Sequence, residues 1–268
     1  MTIGIGLVAY NNNPEDLIKL SKSLSNCKLI YKVVVDNSPS ENLKKIFEEY
    51  NWTYIFNNNN LGFGSSHNII IKKFSSKAKY HVVINPDIYF DFDIMSTLAK
   101  FMEETPDCGN VMPKILYPNT DNQRIAKLLP SPYGWFLRRF AKNTNLLNIY
   151  NYKFELHQFD ENDVYKSPYL SGCFMFLRVD SLNKVGLFDE NIFMYGEDAD
   201  LTRRLWISKN YPYYFGKAFV YHQFAKGSHR SFKLLVTAIK STIYYFNKWG
   251  WFDKNRKIIN RECLDQVV

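Results

Sequence analysis

Runs and alternations of apolar residues divide the first hundred positions into a repeating series. Ile3 to Ala9 is an unbroken β-rich run, and Leu29 to Asp36, centred on Val33-Val34-Val35, is a second. Thr53 to Phe56 and Tyr80 to Ile84 are shorter ones. Helical spacing fills the gaps. Asn13-Pro14-Glu15-Asp16 supplies an N-cap, a proline at the first helical position and acids in the first turn. Ser40 is placed as the cap of a helix running through Lys44 and Phe47, Gly64 to Phe74 is another, and Asp93 caps one that ends near Met102. Strands separated by helices of roughly 10–15 residues predict βαβ units, an α/β fold and a mostly parallel sheet. Ligands of such sheets sit beyond the carboxyl ends of the strands. Ala9-Tyr10-Asn11, Asp36-Asn37-Ser38 and Asn85-Pro86-Asp87 lie there.

The pattern weakens from Pro118 to Ser167, where proline, asparagine and aromatics follow no period, and this stretch reads as an insertion outside the sheet. Strand signals return at Cys173 to Leu177, Tyr213 to Phe215 and Phe219 to Tyr221. A helix opens near Glu197 with Leu201, Leu205 and Trp206 on its apolar side. From Phe232 to Asn247, Leu235, Ile239, Ile243 and Phe246 recur at helical spacing, with Lys233, Lys240 and Lys248 mostly off that stripe. A main domain of residues 1–230 and a tail of residues 231–268 follow.

With 46% hydrophobic residues in 268, global disorder is excluded. The net charge of +8 is uneven: nine Lys or Arg against three Asp or Glu stand from Lys226 onward. Nucleic acid or an anionic membrane leaflet would suit such a surface. The tail is read first as an interfacial helix lying on a membrane, and second as a helix packed on the main domain. No apolar run approaches the ~20 residues that span a bilayer. Four widely spaced cysteines suggest neither a zinc knuckle nor a disulfide framework. The chain reads as cytoplasmic, or peripheral on the cytoplasmic face of a membrane.

Several short segments could carry chemistry. Asp36 ends a strand where its carboxylate could accept the imide N–H of a uracil or thymine, or simply close a turn. Asn57-Asn58-Asn59-Asn60-Leu61-Gly62-Phe63-Gly64 leads into a helix carrying Asn68, and glycines before a helix N-terminus suit a diphosphate. Asp87 could bind a divalent cation, since Mg²⁺ and Mn²⁺ prefer oxygen ligands. Glu197-Asp198-Ala199-Asp200 puts three carboxylates in one helical turn, more than capping needs, and one of them could serve as a general base. His222 ends a strand, and Gly227-Ser228-His229-Arg230 could donate to a phosphate.

Taken in order, these pieces resemble the family 2 inverting glycosyltransferases of GT-A fold, especially bacterial rhamnosyltransferase-like members. The matching segments are Val8-Ala9-Tyr10-Asn11, Val35-Asp36-Asn37-Ser38, Asn60-Leu61-Gly62-Phe63-Gly64 with Asn68, and Ile84-Asn85-Pro86-Asp87. Ser171-Gly172-Cys173-Phe174, Gly186-Leu187-Phe188-Asp189-Glu190, Glu197-Asp198-Ala199-Asp200-Leu201 and His222 with Gly227 and Ser228 complete the set. The resemblance implies that residues 1–230 are catalytic and that Asp198 is the base. It implies a donor site at Val8, Asn11, Asp36, Asn60, Gly62, Asn68, Asn85 and Ser228. Asp87 and His222 would hold a Mn²⁺ or Mg²⁺ ion, with Asn85 where many relatives have Asp. Gly172, Glu197 and Asp200 would position the acceptor or hold its loop. The implied partners are a dTDP- or UDP-sugar and a saccharide acceptor, lipid-linked if the tail binds membrane, and no nucleic acid. Two competing readings are a nucleic-acid binder stacking bases on Tyr244, Trp249 and Trp251 beside Arg256, and a nucleotidyltransferase. The latter wants a basic glycine-rich loop where this chain has Asn11-Asn12-Asn13-Pro14.

Overall fold

A computed structural model describes residues 2–74, 77–141, 143–223 and 232–267. The N-terminal half begins with β1 (Ile3–Ala9), α1 (Pro14–Leu24), β2 (Ile30–Asp36), α2 (Lys44–Glu49), β3 (Thr53–Phe56), α3 (Phe63–Phe74) and β4 (Tyr80–Ile84). The four strands pair in parallel in the order β3-β2-β1-β4. Ile5, Leu7 and Val33 to Val35 are buried, as strands covered by helices on both faces require. Asn13 accepts from the Glu15 N–H at 3.1 Å with Pro14 beginning α1, as its sequence predicts. Ser40 is not a cap. Helix α2 starts four residues later with no side-chain cap.

After β5 (Ile88–Tyr89) and α4 (Ile94–Glu104) comes β6 (Cys108–Leu116), a central strand that the hydrophobic pattern did not announce. The stretch read as an insertion holds β7 (Ala126–Lys127), α5 (Pro132–Phe140), α6 (Asn145–Phe154) and β8 (Val164–Lys166). It is not wholly outside the sheet, because β8 joins the main sheet as an antiparallel neighbour. β9 (Tyr169–Leu170) pairs with β7, and β10 (Phe174–Arg178) runs antiparallel between β4 and β6. Then follow α7 (Val179–Val185), α8 (Glu197–Ile207) and β11 (Tyr211–His222). β11 is parallel to β6 and antiparallel to β5 and β8.

The two segments predicted at 213–215 and 219–221 are one strand with an irregularity. Phe215 sits opposite Pro113 and Phe219 opposite Lys114, so residues 216–218 bulge where Pro113 has no N–H to give. Beyond the bulge, His222 pairs with Ile88 and Tyr221 with Tyr89. This register sets His222 beside Asp87.

The tail forms α9 (Phe232–Trp249) and α10 (Lys254–Leu264), whose Ile259 and Cys263 are buried. The buried side of α9 matches the predicted stripe only in part. Phe246 of that stripe faces inward with Ser241 and Tyr245, whereas Ile243 is 44% exposed. The helix is rotated because its anchors are polar. Ser241 Oγ donates to the Met194 carbonyl at 2.7 Å, and Trp249 Nε1 to Asp200 Oδ1 at 2.8 Å. No described helix is long and apolar enough to cross a membrane.

Candidate active site

Helix α8 begins after two residues in the left-handed region, Tyr195 (φ 72°) and Gly196 (φ 111°). A tyrosine held there is strained, and such strain collects at functional sites. The turn aims the first helical residues toward the loop between β9 and β10. Asp198 is buried, and its Oδ2 accepts from the Gly172 N–H at 2.9 Å and the Tyr169 hydroxyl at 3.4 Å. Its Oδ1 accepts from the Ala199 N–H at 2.8 Å. A Cβ on Gly172 would lie 3.4 Å from the Asp198 Cβ, so the absent side chain permits this approach.

Burial raises the Asp198 pKa, opposed by the Gly172 and Ala199 amides and by the Lys127 charge. Glu197 is also buried and its Oε2 has no hydrogen-bond partner. Burial, and then the Asp198 charge, push its pKa up to about 8. Two adjacent carboxyls therefore share a poorly solvated site, and Asp198, which accepts both amide bonds, is the one better held as an anion.

Asp200 turns the other way. It is fully buried, with Oδ2 taken by Arg204 at 2.9 Å and Oδ1 by Trp249 and Lys248. It ties the tail to α8 and presents nothing to an acceptor.

The Asn85-Pro86-Asp87 turn follows β4 and is joined to the same loop, since the Asn85 N–H donates to the Cys173 carbonyl at 2.9 Å. Residues 172 and 173 thus bridge the Asp87 turn and Asp198. Asp87 Oδ1 lies 3.2 Å from His222 Nε2. Gln123, which sequence reasoning passed over, fixes that imidazole. Its Nε2 donates to the carbonyls of His222 (2.7 Å) and Leu116 (3.3 Å), so its Oε1 must receive Nδ1–H of His222 at 2.9 Å. Nε2 is then directed at a carboxylate oxygen. An imidazolium would donate to that oxygen, and a neutral imidazole would offer its lone pair beside the carboxylate to a shared cation. Among the described residues no group of three or more His, Cys, Asp or Glu converges. Asp87 and His222 fit a Mg²⁺ or Mn²⁺ ion that takes its remaining ligands from water and phosphate oxygens.

The other donor-side candidates divide. Asn60 Oδ1 accepts from the Gly62 N–H at 3.0 Å, and Asn37, Asn57 and Ser66 extend this network. Gly62 (φ 86°) passes so close to the Phe193 carbonyl that a Cβ would lie 2.2 Å from it. Val8 is half-buried, and Asn11 is exposed with its N–H on Ser38 Oγ at 2.9 Å. Asp36 is fully buried, with Oδ1 on the Ser38 N–H (2.9 Å) and Oδ2 on the Tyr54 hydroxyl (2.7 Å). Asn68 is buried and spends its amide on the Phe188 N–H, the Phe188 carbonyl and Glu190, which braces α3. Ser228, with Gly227, His229 and Arg230, lies outside the described residues.

A cavity of about 330 Å³ opens beside Asp198. Tyr169, Gly196 and Ala199 form its floor, α5 and α6 one wall, and Tyr245 and Phe246 of α9 the other. Lys127 also lines it, its ammonium pKa lowered chiefly by burial. Of the residues once read as a base-stacking platform, Tyr244 donates to Asp189 (3.1 Å) and Trp249 carries the Arg203 guanidinium on its face.

The family model for glycosyl transferase family 2 matches residues 5–186. Rhamnosyltransferase WbbL of Escherichia coli (strain K12) is 26% identical, with 97% of both chains covered. The N-acetylglucosaminyl-diphospho-decaprenol L-rhamnosyltransferase of Mycobacterium tuberculosis (strain CDC 1551 / Oshkosh) is 27% identical over 72% of this chain and 66% of its own length. Among solved structures, the mannosyltransferase PcManGT from Pyrobaculum calidifontis, bound to GDP-Man and Mn²⁺, superposes with a TM-score of 0.61 at 11% identity. That match covers 92% of this chain and 63% of the neighbour. The mixed, mostly parallel sheet flanked by helices is a GT-A fold, and the chain belongs to glycosyl transferase family 2.

Proposed function

We propose that this glycosyltransferase inverts configuration and moves L-rhamnose from dTDP-rhamnose to a saccharide acceptor, in the building of a surface polysaccharide. The observation that carries the reading is the buried Asp198 carboxylate. It is the chain neighbour of Ala199 and a hydrogen-bond partner of Tyr169, both of which line the cavity, and it is joined through residues 172–173 to the turn that bears Asp87. Asp198 takes the proton of the acceptor hydroxyl as that oxygen bonds to the anomeric carbon. The bond from that carbon to the nucleoside diphosphate breaks on the opposite side, and its electron pair leaves with the phosphate oxygen. Glu197, largely protonated below its raised pKa, orients the acceptor as a donor. A cation held by Asp87 and His222 would supply positive charge to the departing diphosphate. Asn11, Asp36, Asn60 and Gly62 frame the donor, with Asp36 exchanging the Tyr54 hydroxyl for the base's imide N–H.

Rhamnose is supported by the activities for which the two bacterial relatives are named. The diphospho-decaprenol in one of those names supports an acceptor carried on a lipid diphosphate. Asp198→Asn keeps an oxygen for the Gly172 amide but removes the base. The expected loss is ~10²–10⁴-fold in turnover with nucleotide affinity nearly unchanged. Near-normal turnover would sink the assignment, and NMR showing retained anomeric configuration would sink inversion. A panel of dTDP- and UDP-sugars, read by thermal stabilisation with Mn²⁺, separates rhamnose from a UDP-hexose.

A further inference from the structure

We propose that the outer face of the α5–α6 hairpin docks on an anionic bilayer surface and so brings the active-site cavity to an acceptor held in the membrane. Three observations carry this. First, the hairpin leaves an apolar stripe on each helix uncovered. Tyr133, Phe136 and Phe140 follow at three- and four-residue spacing on α5, and Leu146, Ile149 and Tyr152 at three-residue spacing on α6. Phe136, Phe140 and Ile149 are 58%, 62% and 70% exposed, while the opposite faces bury Gly134, Leu137 and Phe154. Scattered single apolar residues are ordinary on a surface, but an exposed stripe on each of two neighbouring helices is more than scatter, and apolar patches mark interaction sites. Phe136 and Phe140 rings lie 4.8 Å apart, so part of the patch is continuous.

Second, the charge selects the partner. The sequence from Ser131 to Glu155 holds four basic residues, Arg138, Arg139, Lys142 and Lys153, and one acid, Glu155, which pairs with Arg138 at 2.6 Å. Apolar stripes with aromatic residues and a net positive charge are the composition of interfacial helices on anionic lipid. Tyr133 and Tyr152 add rings with one polar end, which settle at the boundary between headgroups and chains.

Third, the surface is continuous with the site. Trp135 and Arg139 of α5 and Tyr150 of α6 line the cavity that reaches Ala199, next to Asp198. A protein seated on this face opens the cavity toward the headgroup layer. The tail's inner face, by contrast, is taken up by the main domain through Ser241, Tyr245 and Phe246.

This surface rests on the reading of a lipid-carried acceptor, and flotation is measured apart from sugar transfer, so the two can fail separately. The full chain is floated with vesicles of phosphatidylglycerol and phosphatidylethanolamine, and with phosphatidylcholine alone. Wild type should partition to the anionic vesicles at least tenfold better than to the neutral ones. The triple variant Phe136→Asp/Phe140→Asp/Ile149→Asp should lose at least tenfold in that partition, and Ile243→Asp on α9 should not. Phe136→Ser/Phe140→Ser serves if the triple variant melts early. Absence of wild-type flotation, or loss with Ile243→Asp alone, overturns the proposal. So does sedimentation showing a dimer that the hairpin variant dissolves while flotation is unchanged, which would assign the patch to a second copy. Flotation through the hairpin with no sugar transfer condemns the function alone. Transfer to a soluble acceptor without flotation condemns this surface alone.

Discussion

Asp200→Ala tests how much of the protein's stability depends on the carboxylate that fastens the tail to α8. The carboxylate is fully buried and accepts from Arg204, Trp249 and Lys248 at 2.7–2.9 Å. Losing one member of a buried charged set costs about 3–5 kcal/mol, because the partners are left desolvated. Here the partners keep company. Arg204 retains the carbonyls of Val185, Gly186 and Leu187, and Lys248 retains Asp189 at 2.7 Å. The Trp249 Nε1–H and the Arg204 Nε–H are stranded while both cations keep other partners, so the lower end, about 3 kcal/mol, is expected. For a domain of this size that is a fall in Tm of roughly 6–12 °C. Calorimetry supplies the Tm, and limited proteolysis should show faster release of the segment beyond Trp249. Trp249→Phe, which removes one donor and keeps the ring, should cost about 1–2 kcal/mol. In a double-mutant cycle the two losses should overlap. A change below about 1 kcal/mol, accompanied by a raised KM for acceptor, would refute the anchoring role and return Asp200 to the acceptor site.

Gln123→Leu frees the His222 ring to rotate, and titration of dTDP in the presence of Mn²⁺ should show roughly 10–100-fold weaker binding. Titration in EDTA should be unchanged, and an equal loss there would show that Gln123 acts only on the fold. For Glu197 the folded pKa is raised to about 8 from an ordinary 4.5, so the folded state keeps a proton the unfolded state releases between those values. This contribution to stability is therefore fully present below about pH 4.5 and is lost as pH rises through about 8. Urea titrations across pH should show this slope in wild type and lose it in Glu197→Gln; an unaltered slope would place the proton elsewhere.

The N-terminal βαβ series was legible because burial on both faces leaves unbroken valine and isoleucine runs, as at Val33 to Val35. β6 was not. Its segment Cys108–Leu116 contains Gly109 and Pro113, ordinary signs against a central strand, and the bulge opposite Pro113 that accommodates them belongs to β11. Asp87, His222 and Asp198 could be found as acids or histidine at strand and helix ends. Gln123 could not, since a lone glutamine in an aperiodic stretch carries no local signal and its role depends on a strand register made 99 residues later. Asn68 and Asp200 are bonded within the protein, to Phe188 and Glu190 and to Arg204, Trp249 and Lys248, and those partners carry no sequence signal. A polar residue at the right place in a motif looks the same whether it faces a ligand or fastens two pieces of the chain.

The strand order also sets a timetable for synthesis. β3-β2-β1-β4 can close on contacts between neighbours as the first 84 residues emerge, but β6 cannot join them directly, because β10 must enter between β4 and β6. Until residues 174–178 leave the ribosome, the edge of β4 stays open and β6 has no place in the sheet. β11 arrives later still and brings His222 to Asp87. The Asp87–His222 contact is thus split between an early-folding half and the last strand, so its formation in a nascent chain would report that the sheet is finished.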